Sequence, residues 1–311
     1  MGNYVYSVPA AAPAANNVTP PVATPAVAPA PASATNNATA PTVAPAAIAT
    51  GPQRKYGWQR GHRSINDKIH RFAHRAAVQL PPKIDLREGC PPVDDQGTLG
   101  SCVGHAVTAG VDYLLLQAAK NQTADKPVDT SVRSRLFTYY NARNFDNTVP
   151  LDVGTSIHSG ARAVAEMGSC HESLWPYVPS NFSTKPPANC YEDAKSAVVQ
   201  EVRWLERDLG QIRAALAEGH TVACGIVVYQ SFESSGSSLT GVIGVPQKGE
   251  PMLGGHAILL VGYDDARRLF VFRNSWGPTW GDKGYGYIPY NYISDPNSAD
   301  EFAILFGLKT A

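Results

Sequence analysis

Residues 95–102 read Asp95-Gln96-Gly97-Thr98-Leu99-Gly100-Ser101-Cys102. After them Val103, Ala106, Val107, Gly110, Val111, Leu114, Leu115 and Ala118 recur at helical spacing, a wide apolar face that predicts a core helix over 101–120. Gly97 and Gly100 permit a tight approach to that helix, so Cys102 is expected at its N-terminus. Free backbone N–H groups and the positive end of the helix dipole there favour thiolate over thiol. A lone cysteine at a helix start is more often an inert core residue. Partners decide the matter.

Two stretches downstream supply them. Gly254-Gly255-His256-Ala257-Ile258-Leu259-Leu260-Val261-Gly262-Tyr263 places a histidine at the head of an apolar strand. Arg273-Asn274-Ser275-Trp276-Gly277-Pro278-Thr279-Trp280-Gly281 ends the next strand on an asparagine. Such an asparagine can accept a hydrogen bond from the imidazole and fix its tautomer, with Trp276 shielding that bond. Nucleophile, base and orienting group are then Cys102, His256 and Asn274. Gln96, six residues before the thiol, offers side-chain N–H donors suited to an oxyanion hole with the Cys102 backbone N–H.

These three ordered motifs resemble those of papain-like cysteine peptidases, the papain and cathepsin superfamily. The resemblance covers about 81–311, with His256 lying 154 residues and Asn274 172 residues after Cys102. It implies an α+β fold of two lobes, a helical one over about 81–200 and a β-barrel one over about 201–311, with the active site in the cleft between them. It implies a hydrolase, a thiol protease acting through a thioester acyl-enzyme, with protein or peptide substrates and no cofactor. A substrate-backbone ledge would fall at Gly154-Thr155, where Thr155 replaces the usual second glycine. Ile157, Gly225 and Ala257 would line an apolar pocket for the second residue before the scissile bond, and Trp276 would also meet substrate. Leu99 stands where the family often has a cysteine, and Val103 where an aromatic residue is common. Only 54–80 is available as a pro-segment, closer to short-prodomain microbial and viral members than to lysosomal cathepsins. The readings weighed against an endopeptidase are an aminopeptidase of bleomycin-hydrolase type, a transglutaminase and a catalytically silent peptide-binding module.

The rest of the chain is uneven. Residues 1–53 contain no charged residue or histidine, and of the first fifty 17 are Ala and 9 are Pro. Such a stretch cannot build a core and reads as a disordered leader. It lacks the basic and apolar runs of a secretory signal. Seven Lys or Arg against one Asp lie between Arg54 and Leu80, leaving 19 basic and 25 acidic residues over 81–311. A basic stretch beside an acidic body suggests intramolecular docking, making 54–80 a candidate inhibitory segment and the chain a zymogen. No base-stacking pattern accompanies it, so no nucleic acid is expected, nor any membrane span or metal. A capping box at Ser64–Asp67 and the spacing of Ile65, Ile69, Phe72 and Ala76 predict an amphipathic helix over 65–78. Further helices are expected at 131–141, 156–167 and 208–218, and strands from Thr221 and at 256–263, 268–274, 285–288 and 302–307. Cys90, Cys170, Cys190 and Cys224 are free to be disulfide partners or small buried residues.

Overall fold

The computed structural model describes residues 54–61, 67–71, 80–121 and 127–309. These belong to one compact unit spanning 45–311. The leader expected over 1–53 lies outside the described residues, as does most of the helix expected over 65–78.

In chain order the elements are β1 (Lys83–Asp85), α1 (Cys102–Lys120), α2 (Arg135–Phe145), α3 (Ile157–Glu166), α4 (Ala188–Ala194), β2 (Val199–Trp204), α5 (Leu209–Ala217), β3 (Val222–Tyr229), α6 (Ser235–Thr240), β4 (Met252–Asp264), β5 (Leu269–Arg273), β6 (Tyr285–Pro289), α7 (Tyr290–Ser294) and β7 (Ala299–Leu308). Helices dominate the first half and strands the second, as the apolar periodicities require. Side-chain caps set four of the helix starts. Ser134, Ser156, Asp208 and Ser234 each accept from the backbone N–H three residues on, satisfying a donor the first turn leaves free. The cap at Ser134 starts α2 four residues later than expected, because Arg133 is drawn into an extended bridge with His171.

The strands form one antiparallel sheet in the order β2-β7-β3-β4-β5-β6, with β1 added to β4 where that strand outruns β3. It is an open sheet, not the closed barrel expected of the β lobe. Its edges do not meet because each takes up another stretch of chain: Ile69 bridges Trp204 on β2 and Val242 bridges Tyr287 on β6. Register shifts at Ala223/Gly225, Val228/Tyr229 and Leu260/Gly262 bend the sheet instead, as bulges do. Residues 67–71 likewise depart from the expected helix. Their backbone is extended, with His70 N donating to Trp204 O and Trp204 N to Lys68 O. Ile69, meant for an apolar stripe, is 49% exposed.

One apolar core fills the β side, built from residues such as Val222, Ile258, Leu260, Phe270, Phe272 and Trp280. A second lies between α1 and the sheet, where Val103, Val107 and Val111 meet Leu259, Ala303 and Leu305. The helix carrying Cys102 is thus a beam packed on both sides, buried continuously from Cys102 to Tyr113. All five cysteines are free thiols, four of them buried, with the Cys170 and Cys190 side chains in contact. No helix among the described residues is long and apolar enough to cross a membrane.

At Gly104, two residues into that beam, α1 touches α2 so closely that a Cβ would stand 2.7 Å from Arg135 O and 3.0 Å from Tyr139 Cβ. Gly104→Ala is expected to push the helices apart and cost about 1–3 kcal/mol. A thermal melt should show Tm lower by roughly 2–12 °C; an unchanged Tm would show that the contact yields freely.

Candidate active site

Cys102 is the first residue of α1, and the N-cap before it is unusual. Ser101 makes no side-chain cap bond; its hydroxyl instead lies 2.5 Å from the Tyr177 hydroxyl. The first-turn N–H groups are therefore left for the site, and those of Cys102 and Val103 bear on the sulfur, joined by Ala257 N–H from β4.

His256 lies within β4, paired with Ile226 of β3. Asn274 is the first residue after β5, and the β4–β5 pairing brings it beside the imidazole. His256 Nε2 donates to Asn274 Oδ1 at 2.8 Å, and that oxygen also accepts from Ser275 N at 2.8 Å. The proton on Nε2 leaves Nδ1 as the lone pair of the neutral ring, buried and without a partner. Trp276 covers the pair, its ring 4.9 Å from the imidazole and tilted 33°.

Gln96 is fully buried at the seam between the lobes. Its Oε1 accepts from Ser275 Oγ at 2.6 Å, which turns Nε2 toward the carbonyls of Leu99 (2.9 Å) and Lys55 (3.1 Å). Its backbone N–H donates to Ser275 O at 2.8 Å. Ser275 was not singled out in the sequence, although it adjoins Asn274.

The cleft is filled by the chain itself. Residues 54–61 run through it, and they meet the expected substrate residues in order. Tyr56 packs edge-on to His256 and Trp276. Gly57 O accepts from Thr155 N at 2.8 Å, Gln59 N donates to Thr155 O at 2.9 Å, and Trp58 N donates to Gly255 O at 2.8 Å. Thr155 thus serves as a backbone ledge despite its side chain, which turns away to donate to Asp146 at 2.5 Å. Glycine is required at two of these positions. Gly154 has φ 79°, and a Cβ there would sit 1.9 Å from Gly57 O; one on Gly225 would sit 1.9 Å from the Trp58 indole. Trp58 is 5% exposed and clusters with Cys102, Ile157 and Ala257. The expected occupant was a helix presenting Ile65, Ile69 and Phe72. The actual one is extended and lies further upstream. The aromatic residues flanking Gly57, in Lys55-Tyr56-Gly57-Trp58, were the overlooked signal. Glu301, whose Oε2 accepts from Trp58 Nε1 at 2.6 Å, was also missed.

Covering the cleft alters its electrostatics. Burial pushes the Cys102 thiol up to about 11, outweighing the nearby N–H donors, Gly57 among them. Burial pulls His256 down to about 4, against the hydrogen bond to Asn274. Between these values both groups are neutral, so the helix N-terminus does not by itself hold Cys102 as thiolate here. In the full chain, alkylation of Cys102 by iodoacetamide at pH 7 should be about two orders of magnitude slower than for an exposed cysteine. The rate should keep climbing as pH rises toward 11. A fast rate already level at pH 6, read by mass spectrometry, would mean an ion pair exists under the cover.

Comparisons with known proteins agree with this geometry. Residues 80–301 match the papain family of cysteine proteases. An uncharacterized peptidase C1-like protein of Acanthamoeba polyphaga mimivirus is 35% identical over 221 residues, 68% of this chain and 68% of the viral one. Peptidase 1 of Euroglyphus maynei is 27% identical over 225 residues, of whose length this chain spans 63%. Among solved structures, xylellain, a cysteine protease from Xylella fastidiosa, matches with a TM-score of 0.75 at 34% identity, over 83% of this chain and 98% of that one. With fold, residues and relatives in agreement, the chain belongs to the papain family of cysteine proteases and is a thiol hydrolase.

Proposed function

We propose that the chain is an endopeptidase whose catalytic domain spans 81–311 and which is held latent by its own residues 54–61. The observation that carries this is the meeting of Cys102, the His256–Asn274 pair and the Gln96 amide in one cleft already occupied by a peptide. Cys102 Sγ attacks the scissile carbonyl carbon while its proton passes to His256. Gln96 Nε2 and the Cys102 backbone N–H receive the developing oxyanion. As the carbon–nitrogen bond breaks, imidazolium returns the proton to the leaving amine. Water then releases the acyl group from the thioester, with His256 as base.

The occupied cleft favours an endopeptidase over an aminopeptidase. Residues 54–61 lie on both sides of Cys102, from Arg54 at Asp95 and Trp276 to Gly61 beside Ser156, so a long peptide fits with neither end stopped. The same contacts account for latency. If the Gly225 pocket takes the residue two before the scissile bond, a substrate runs from that pocket toward Trp276. Residues 54–61 run the other way, bridging Thr155 in parallel through Trp58. Lys55 O occupies the Gln96 donor and Gly57 lies at the sulfur. A peptide so inverted blocks attack without being presented for it. The pocket walls, Ile157, Ala257 and the open face of Gly225, are apolar.

Three substitutions test the reading on an unstructured fluorogenic peptide. Trp58→Ala in the full chain should raise the initial rate at least several-fold by emptying the pocket. Adding Cys102→Ala should abolish that rate, and adding Gln96→Ala should lower kcat about 10²–10³-fold with less effect on KM. Equal rates for the Trp58→Ala and parent chains would remove residues 54–61 from the account of latency. Cleavage surviving Cys102→Ala would remove the nucleophile.

A further inference from the structure

The two groups assigned to the oxyanion stand at opposite ends of one short loop. Gln96 opens it, Cys102 closes it, and Gly97 and Gly100 lie between. Gly97 has φ 60°, and a Cβ there would meet nothing within 4 Å, so packing does not fix the turn. Ser275 ties the first end to the sheet side through Gln96 N. The span from Gln96 to Cys102 needs a restraint of its own.

Tyr177, on the stretch between α3 and α4, reaches both ends. Its hydroxyl donates to Gln96 O at 2.9 Å and lies 2.5 Å from Ser101 Oγ. A phenol has one proton to give, and here Gln96 takes it, so the Ser101 hydroxyl donates to the phenol oxygen. One helical turn further on, His105 Nδ1 lies 3.1 Å from Ser101 O and 3.4 Å from Ser101 Oγ. A carbonyl oxygen can only accept, so Nδ1 carries the imidazole proton. The bonds therefore run one way, from His105 to Ser101, from Ser101 to Tyr177 and from Tyr177 to Gln96, and bonds so aligned strengthen one another. Burial raises the Tyr177 pKa and pulls His105 down to about 3. The phenol keeps its proton and the imidazole stays neutral.

The tyrosine is itself held on several sides. Tyr177 N donates to Glu172 Oε1 at 2.6 Å, and the same carboxylate pairs with Arg135 at 2.7 Å. The Arg135 guanidinium stands 5.5 Å over the ring, and the His105 ring meets it edge-on at 4.8 Å. Leu99 and Leu136 belong to the apolar cluster against which it packs.

We propose that Tyr177 is a positioning residue for acyl transfer: by joining Gln96 to the residue before Cys102, it sets the distance between the two oxyanion donors. It touches no reacting atom and acts through the groups it holds. Donors aimed at a developing charge must be in place beforehand, and a misplacement of about 1 Å costs on the order of a hundredfold in rate. A loop with two glycines allows such a shift once the phenol bond is gone. The inference deepens the peptidase reading and rests on it for the reaction concerned.

The test uses the chain opened by Trp58→Ala and the fluorogenic peptide. Tyr177→Phe keeps the ring and removes the hydroxyl, so kcat should fall about 10–30-fold while KM moves less than about twofold. A general structural defect would act whether or not the amide donor is present, whereas a positioning defect needs the donor. In a Gln96→Ala background, Tyr177→Phe should therefore lower kcat by less than about threefold. Ser101→Ala breaks the same link from its other side; it should lower kcat as well and add little to Tyr177→Phe. An unchanged kcat for Tyr177→Phe, or its full loss repeated in the Gln96→Ala background, overturns the proposal. A second readout needs no catalysis: the Gln96 side-chain amide, followed by heteronuclear NMR in the same opened chain. Its two N–H signals should be sharp before the substitution and broadened or doubled in Tyr177→Phe, as motion of the loop requires. Signals equally sharp in both overturn the proposal. If the opened chain cleaves nothing, the peptidase reading fails, while the amide signals still decide what Tyr177 holds.

Discussion

The stitch between Gln96 and Ser275 holds the site together. One residue comes from the loop before α1 and the other from the loop after β5, so the bond crosses from the helical side to the sheet side. It is made twice, once between backbones and once from the Ser275 hydroxyl to the Gln96 amide oxygen, at 2.8 and 2.6 Å. The adjacent Asp95 and Trp276 form a bridge of their own. Because Ser275 N also donates to Asn274 Oδ1, the bond that aims the amide donor and the bond that aims the imidazole share one residue. Both groups are fully buried, and in a low dielectric such a network is stiff only if each member is satisfied. Sliding one lobe past the other would misplace donor and base together.

That stiffness exists before any substrate arrives, so the latency proposed above is a matter of solvent and direction rather than of a dismantled site. With residues 54–61 in place, the imidazole is still aimed by Asn274 and the Gln96 amide still points into the cleft. What is missing is the charge separation that makes sulfur a nucleophile. Taking a thiolate and an imidazolium out of water costs more than their mutual attraction returns unless further donors help, and here burial outweighs the few N–H groups near Cys102. Clearing the cleft readmits water and restores the balance a helix N-terminus provides. Under that proposal the same groups are inert or poised according to what lies above them.

This division also marks what the sequence could reveal. Cys102, His256 and Asn274 were legible because each stands beside glycines, tryptophans or a strand boundary that fix its local geometry, and α1 was legible because a helix buried on both sides needs an unbroken apolar pattern. Gln96 followed from its distance to the thiol. The sheet was read as a barrel because strand patterns give no closure: whether β2 and β6 meet depends on what else pairs with their edges, and Ile69 and Val242 got there first. The 67–71 stretch has helical spacing, but its backbone finds a better partner in the open edge at Trp204, a long-range choice that local periodicity cannot anticipate. Trp58 and Glu301 lie 243 residues apart, and neither carries a local signature. Only their meeting gives them meaning.

The covering segment also separates two kinds of interaction that its composition had merged. Its basic character is real: Arg54, Lys55 and Arg60 pair with Asp95, Asp152 and Asp300, and beyond the cleft Lys68 and Arg71 pair with Glu201 and Glu206. Yet most of these groups are substantially exposed, and pairs such as Lys55–Asp152 or Arg60–Asp300 add at most about 1 kcal/mol each. Burying the Trp58 ring removes a far larger apolar area, on the order of 4–6 kcal/mol by area alone, before its bond to Glu301 is counted. The exposed ion pairs therefore contribute the smaller part of what holds the segment, and the indole the larger. Added salt should act mainly on the first, through screening of exposed pairs, and leave a seated tryptophan largely where it is.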